Sequence, residues 1–135
     1  MIAATILAIF LIFGMGGGPF GELTSKYMKD PIKETVAEEA RRDMALDELK
    51  SLNKAIKDFN KNVSKDIKKF DKLVENYEST PEEFDQMVSG VFTKRKQEVE
   101  TLWDRRSAML THIKPDEWQT IVSSAKMKAE EKAKK

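Results

Sequence analysis

The chain has no cysteine and only one histidine among its 135 residues. The missing thiols exclude a disulfide framework, a thiolate nucleophile and a cysteine-ligated zinc, and they leave the redox compartment open. Helix breakers are almost as scarce. There are four prolines and six glycines, five of those glycines precede residue 22, and none of either type lies between Pro31 and Pro81. A surplus of one charge is absent too: 24 basic against 23 acidic residues leave +1, so no net field argues for nucleic acid. No convergent set of titratable groups can be assembled, and Ser123 and Ser124 have no base in view. An enzyme is not expected. What remains is charge-rich helix, and the fold class is all-α.

Residues 1–21 carry no charged side chain. Their dense apolar part, Ile2 to Phe13, is short for roughly 30 Å of hydrocarbon, but the glycine-rich continuation brings the uncharged length to the ~20 residues of a membrane helix. Gly14-Met15-Gly16 has the small-x-small form of a cleavage site, yet no Lys or Arg precedes the apolar run, so an uncleaved signal or transmembrane anchor is expected. The basic residues that follow, Lys26, Lys29, Lys33, Arg41 and Arg42, lean by the positive-inside rule toward a cytoplasmic soluble part. Residues 22–30 read as a linker, 31–126 as a helical hairpin domain and 127–135 as a frayed charged tail.

Leu49, Leu52, Ile56, Phe59, Val63, Phe70, Leu73 and Tyr77 recur at three- and four-residue steps, with only Asp66 interrupting the heptad. That is one helix with one apolar seam. Asp30-Pro31 supplies a cap and a first-turn proline, so the pattern extended upstream to Pro31 makes one helix of roughly 70 Å at about 1.5 Å per residue. Its continuity through Met44 is left open where the apolar residues thin to Ile32, Val36 and Ala40. Thr80-Pro81 with Glu83 then opens a second helix to about His112. Folded antiparallel about Ser79, it sets Val88 near Phe70, Val91 near Ile67, Val99 near Phe59, and Leu102 with Trp103 near Ile56. Gly90, at a cost of about 1 kcal/mol relative to alanine, predicts close packing or a bend. Lys114-Pro115 begins a short third helix whose face Trp118, Ile121, Val122 and Ala125 covers the open end of the hairpin.

Three groups of residues carry the candidate interactions. Lysines at Lys50, Lys54, Lys57, Lys61, Lys65, Lys68 and Lys72 form a stripe, either a flank neutralised by Glu98, Glu100 and Asp104 across the hairpin or a surface for anionic partners in which Lys54, Lys61 and Lys68 are central. Without interleaved aromatics it does not read as a nucleic-acid site. Phe92, Arg95, Trp103 and Arg106 form an apolar surface edged by cations, suited to protein partners. Met109, His112 and Glu117 mix thioether, imidazole and carboxylate and are the candidate ligands of a transition metal; no other cofactor is expected.

The segment Met109-Leu110 followed by Ile113-Lys114-Pro115-Asp116-Glu117-Trp118 resembles the Leu-Thr-x-x-Gln motif of the periplasmic Spy and CpxP group and the related heavy-metal-resistance sensors. Ile113 stands for the motif leucine, Lys114 for its threonine and Glu117 for its glutamine. A second copy is Ser79-Thr80-Pro81-Glu82-Glu83-Phe84, where Thr80 matches while Ser79 and Glu83 replace the leucine and glutamine. The resemblance implies a small exported or membrane-associated helical hairpin that dimerises through its long helix, a soluble part outside the cytoplasm, and a chaperone-like, envelope-stress or metal-sensing role. The expectation is therefore a single-pass, membrane-tethered helical interaction module, homodimeric or part of a membrane complex. The alternative is a structural coiled-coil subunit of a larger membrane assembly.

Overall fold

The computed structural model describes residues 25–134. The uncharged segment 1–21, with the expected anchor, lies outside the described residues. Among the described residues no helix is long and apolar enough to cross a membrane. They form four helices: α1 (Lys29–Thr35), α2 (Glu39–Glu75), α3 (Pro81–Leu110) and α4 (Pro115–Ala133). The antiparallel pair α2 and α3 is the hairpin, and α1 packs on both α2 and α4 at its base.

The single 70 Å helix is not what forms. Val36 and Glu38 are extended, at φ −80°, ψ 107° and φ −76°, ψ 123°, and they separate α1 from α2. No glycine or proline enforces the break. Its cause is burial: folding back puts Ile32 and Val36 fully out of water in one core with Ala45, Leu49, Met109, Ile113 and Ile121. Continued straight, a helix through Ile32 would leave that side chain beyond anything able to cover it. The cap expected at Asp30 moves as well. Met28 precedes α1 without a side-chain cap bond, Pro31 sits within the first turn, and Met28 itself, in what reads as a linker, belongs to the core.

The hairpin turn follows the expected punctuation. α2 stops at Glu75, Asn76 Oδ1 accepts the Glu78 N–H at 3.0 Å, and the Ser79 hydroxyl donates to the Leu73 carbonyl at 2.6 Å. Thr80 Oγ1 accepts the Glu83 N–H at 3.3 Å and caps α3. Tyr77 leaves the seam: it is 97% exposed in the turn. At the other end Lys114 N–H donates to Glu117 Oε1 at 2.8 Å, and α4 runs on to Ala133, through residues expected to fray.

Burial along the hairpin is uneven. Leu49, Leu52, Ile56, Phe59 and Val63 of α2 are buried, as are Val91, Leu102 and Met109 of α3. Toward the tip the pair is held by an edge-to-face contact of Phe70 and Phe84, ring centroids 5.9 Å apart. Gly90 is not tightly packed: a Cβ built on it meets open space, so packing gives no reason for glycine there. Gly90→Ala is expected to raise stability by about 0.5–1 kcal/mol, as chemical denaturation followed by circular dichroism will measure.

Candidate functional site

The heptad interruption at Asp66 is answered from α3. Arg95 lies four residues after Val91 and seven before Leu102, on the face of α3 turned to α2. It is 2% exposed, and one of its Nη atoms donates to Asp66 while the other donates to Glu98. Glu98 also accepts from Asn62 at 3.2 Å, Lys94 Nζ stands 3.7 Å from Asp66, and the guanidinium lies over the Phe59 ring at 5.4 Å. A carboxylate and a guanidinium this deep are stable only as a pair, because either alone would carry an uncompensated charge out of water. Arg95 was expected at the rim of a binding surface; it is instead the internal lock of the hairpin.

A second polar junction closes the base. Arg41, in the first turn of α2, makes a two-pronged contact with Glu117 of α4, at 2.8 and 3.2 Å. It also donates to the carbonyl of His112 at 3.1 Å, just past the negative end of α3, and its Nε faces Glu38 at 3.2 Å. This arrangement lowers the Glu117 carboxyl to about 2, chiefly through the Arg41 hydrogen bond and then through the Lys114 N–H. Arg41 is correspondingly raised, first by Glu117.

These contacts bear on the candidate metal ligands. Glu117 is engaged by Arg41, Met109 is wholly enclosed in the core, and His112 is half-buried in the turn after α3. Among the described residues no three His, Asp or Glu side chains are grouped so as to hold a metal ion.

The two long sides of the hairpin differ in kind. One is an open groove of about 410 Å³ with mixed lining, Ser51, Lys54, Asp58 and Asn62 of α2 and Glu98, Thr101 and Arg105 of α3 over the apolar floor of Ala55, Phe59 and Leu102. Its charges alternate in sign. On the other side Asn60, Ile67 and Val74 recur every seven residues on α2, and Val88, Phe92, Val99 and Trp103 recur at four and seven on α3, so each set keeps to one helix face. Ile67, Val74, Val88, Phe92 and Trp103 all belong to the exposed large apolar residues, Phe92 at 45% and Trp103 at 54%. Arg106 lies at the base of this strip, its guanidinium 4.8 Å from the Trp103 ring and 5.7 Å from Trp118. Three of the four residues expected to form the cation-edged apolar surface, Phe92, Trp103 and Arg106, thus share one surface, joined by Ile67 and Val74.

The seven lysines of the stripe, among the eight of α2, are all exposed. They do not meet Glu98, Glu100 and Asp104 across the hairpin; among the described residues none of the seven makes an ion pair. Glu98 is taken by Arg95. No family model, curated protein or solved structure matches the chain.

Two outcomes are expected. Asp66→Leu, which strands Arg95 with Glu98 alone, costs stability at the lower end of about 3–5 kcal/mol, and adding Arg95→Met returns the hairpin to wild-type stability or above; urea unfolding measures both. Glu117 has a lowered folded pKa, so its contribution is complete above about 4.5, its ordinary value, and disappears as pH falls through about 2. Between pH 5 and pH 2 the wild type therefore loses more stability than Glu117→Gln, and their unfolding midpoints converge at the acid end.

Proposed function

We propose that the chain is a helical interaction module tethered at a membrane by its uncharged N-terminal segment, and that its hairpin pairs with the hairpin of a second copy. The observation that carries this reading is the strip Ile67, Val74, Val88, Phe92 and Trp103, exposed along one side of a layer only two helices thick. Helices with an uncovered apolar face form a domain by adding a second layer, and contiguous exposed apolar surface marks an interaction site.

The rim of the strip favours a particular arrangement. Asp71 and Asp85 flank it near the tip, Lys96 stands at its mid-length, and Arg106 lies at its base. A two-fold axis that sets tip against base brings acids onto cations while the apolar centres meet, which is the self-complementarity a dimer of identical patches requires. A side-by-side arrangement with both tips together would oppose like charges. The resulting four-helix layer agrees with the long-helix dimer implied by the motif resemblance at Thr80 and Lys114, and with it a chaperone-like or stress-regulating role at the cell envelope. The same strip also suits the alternative, a structural subunit that receives a helix of another protein.

The test uses the full chain in detergent micelles or nanodiscs, with mass read by light scattering. The wild type is expected to be dimeric at micromolar concentration, and Phe92→Glu monomeric with its thermal midpoint unchanged. Arg106→Glu should weaken association about tenfold and Asp85→Arg in the same chain should restore it. A monomeric wild type sinks the proposal and leaves the assembly subunit. Association indifferent to Phe92→Glu would place the contact elsewhere.

A further inference from the structure

The stretch from Lys50 to Lys72 holds eight lysines, three aspartates and no arginine. Seven of the lysines, at Lys50, Lys54, Lys57, Lys61, Lys65, Lys68 and Lys72, step by three or four along α2. At roughly 100° per residue they keep within a quarter-turn of one line, about 33 Å long. That line lies opposite the buried seam and faces away from α3, with only Lys54 also edging the inter-helix groove. The aspartates are placed elsewhere: Asp66 is buried on Arg95, Asp58 lines the inter-helix groove, and Asp71 borders the apolar strip. A chain of net charge +1 thereby presents one edge that is almost purely cationic, and no carboxylate of the described residues pairs with it.

We infer that this edge of α2 is a docking face for the anionic headgroups of a lipid bilayer. Complementarity of charge selects an anionic surface, and three features select a lipid one. The stripe is straight and, apart from Lys54 at the edge of the inter-helix groove, meets only a shallow open depression beside Lys50, Lys54 and Lys57. It consists of lysines alone, point charges on flexible stems that suit mobile headgroups, where a fixed phosphate array would favour the fork of arginine. No aromatic residue is interleaved for bases to stack on. Each lysine near the surface adds to a short-range attraction that decays over a Debye length of about 10 Å at 0.1 M salt. The stripe is independent of the apolar strip, so either assignment can fail alone.

The absence of cysteine makes the test direct. Ser64→Cys, exposed beside the stripe, and Ser107→Cys, exposed on the side of α3 away from α2, each carry a fluorophore in the full chain, reconstituted into vesicles of phosphatidylcholine alone or with one-third phosphatidylglycerol. Quenching by headgroup-labelled lipid is expected at Ser64 in the anionic vesicles. It should fall at least about threefold in neutral vesicles, in 0.5 M salt, or in Lys54→Glu/Lys61→Glu/Lys68→Glu, with helicity unchanged and the Ser107 signal low throughout. Equal quenching in neutral and anionic vesicles, or indifference to the triple reversal, overturns the inference. So does loss of the Ser64 quenching in anionic vesicles on addition of equimolar duplex DNA, which would identify a nucleic-acid face.

Discussion

The hairpin depends on one buried interaction, the pairing of Asp66 with Arg95. An apolar seam alone tolerates sliding, because Leu, Ile and Val meet one another almost equally well one turn up or down. A buried charge does not. Displacing α3 by a turn would leave both groups desolvated and unpaired, at several kcal/mol, so the pair selects one register among many that the apolar residues would accept. Phe70 on Phe84 and Asn62 on Glu98 then follow. The register in turn decides which residues flank the seam, and so makes one side of the hairpin a groove of mixed lining and the other an apolar strip.

Stability and interaction are divided along its length. At the base, α1 and α4 supply Ile32, Val36, Ile121 and Ala125 to a core that also encloses Leu102 and Met109, and Arg41 binds α2 to the α3–α4 turn and to α4. Toward the tip α2 and α3 have only each other, and past Asp66 no apolar residue of α2 is fully buried. Two helices in contact cover less than half of each other's surface, so any apolar residue beside the seam stays in water until something else arrives. The base therefore carries the fold's own stability, and the tip offers surface.

Much of this plan was legible in the sequence for stated reasons. Proline-led starts at Pro81 and Pro115, with Thr80 as a cap, are local signals, and they mark helix boundaries to within a few residues. The seam from Leu49 to Val63 and the antiparallel pairing follow from periodicity. The expected contacts do not all form: Phe70 meets Phe84 in place of Val88, and Ile67, Val88 and Trp103 stay exposed beside the seam. The break at Val36 was not legible, because neither residue type nor spacing there forbids helix; it exists only because tertiary burial of Ile32 and Val36 outweighs helical continuity. Arg95 and Arg41 were misplaced for a related reason. A single sequence assigns charged residues to water, and the partners that overturn this are 29 and 76 residues away. One signal was present: Arg95 keeps the spacing of Val91 and Leu102, and it opposes the only charged residue in the facing seam.

The two surfaces assigned to the hairpin constrain each other. The lysine line points away from α3, whereas the apolar strip opens sideways, at roughly a right angle to it about the α2 axis. A hairpin resting on lipid through its lysines therefore stands on edge, α2 below and α3 above, with the strip facing along the bilayer. A two-fold axis normal to the bilayer then pairs two strips, reverses the hairpins tip to base, and keeps both lysine lines on the lipid. A two-fold axis along the hairpin would turn one lysine line into solvent. The arrangement proposed from the rim charges Asp85 and Arg106 is thus also the one in which a shared membrane would raise the effective concentration of each copy for the other, so the two proposals would reinforce one another without sharing a residue.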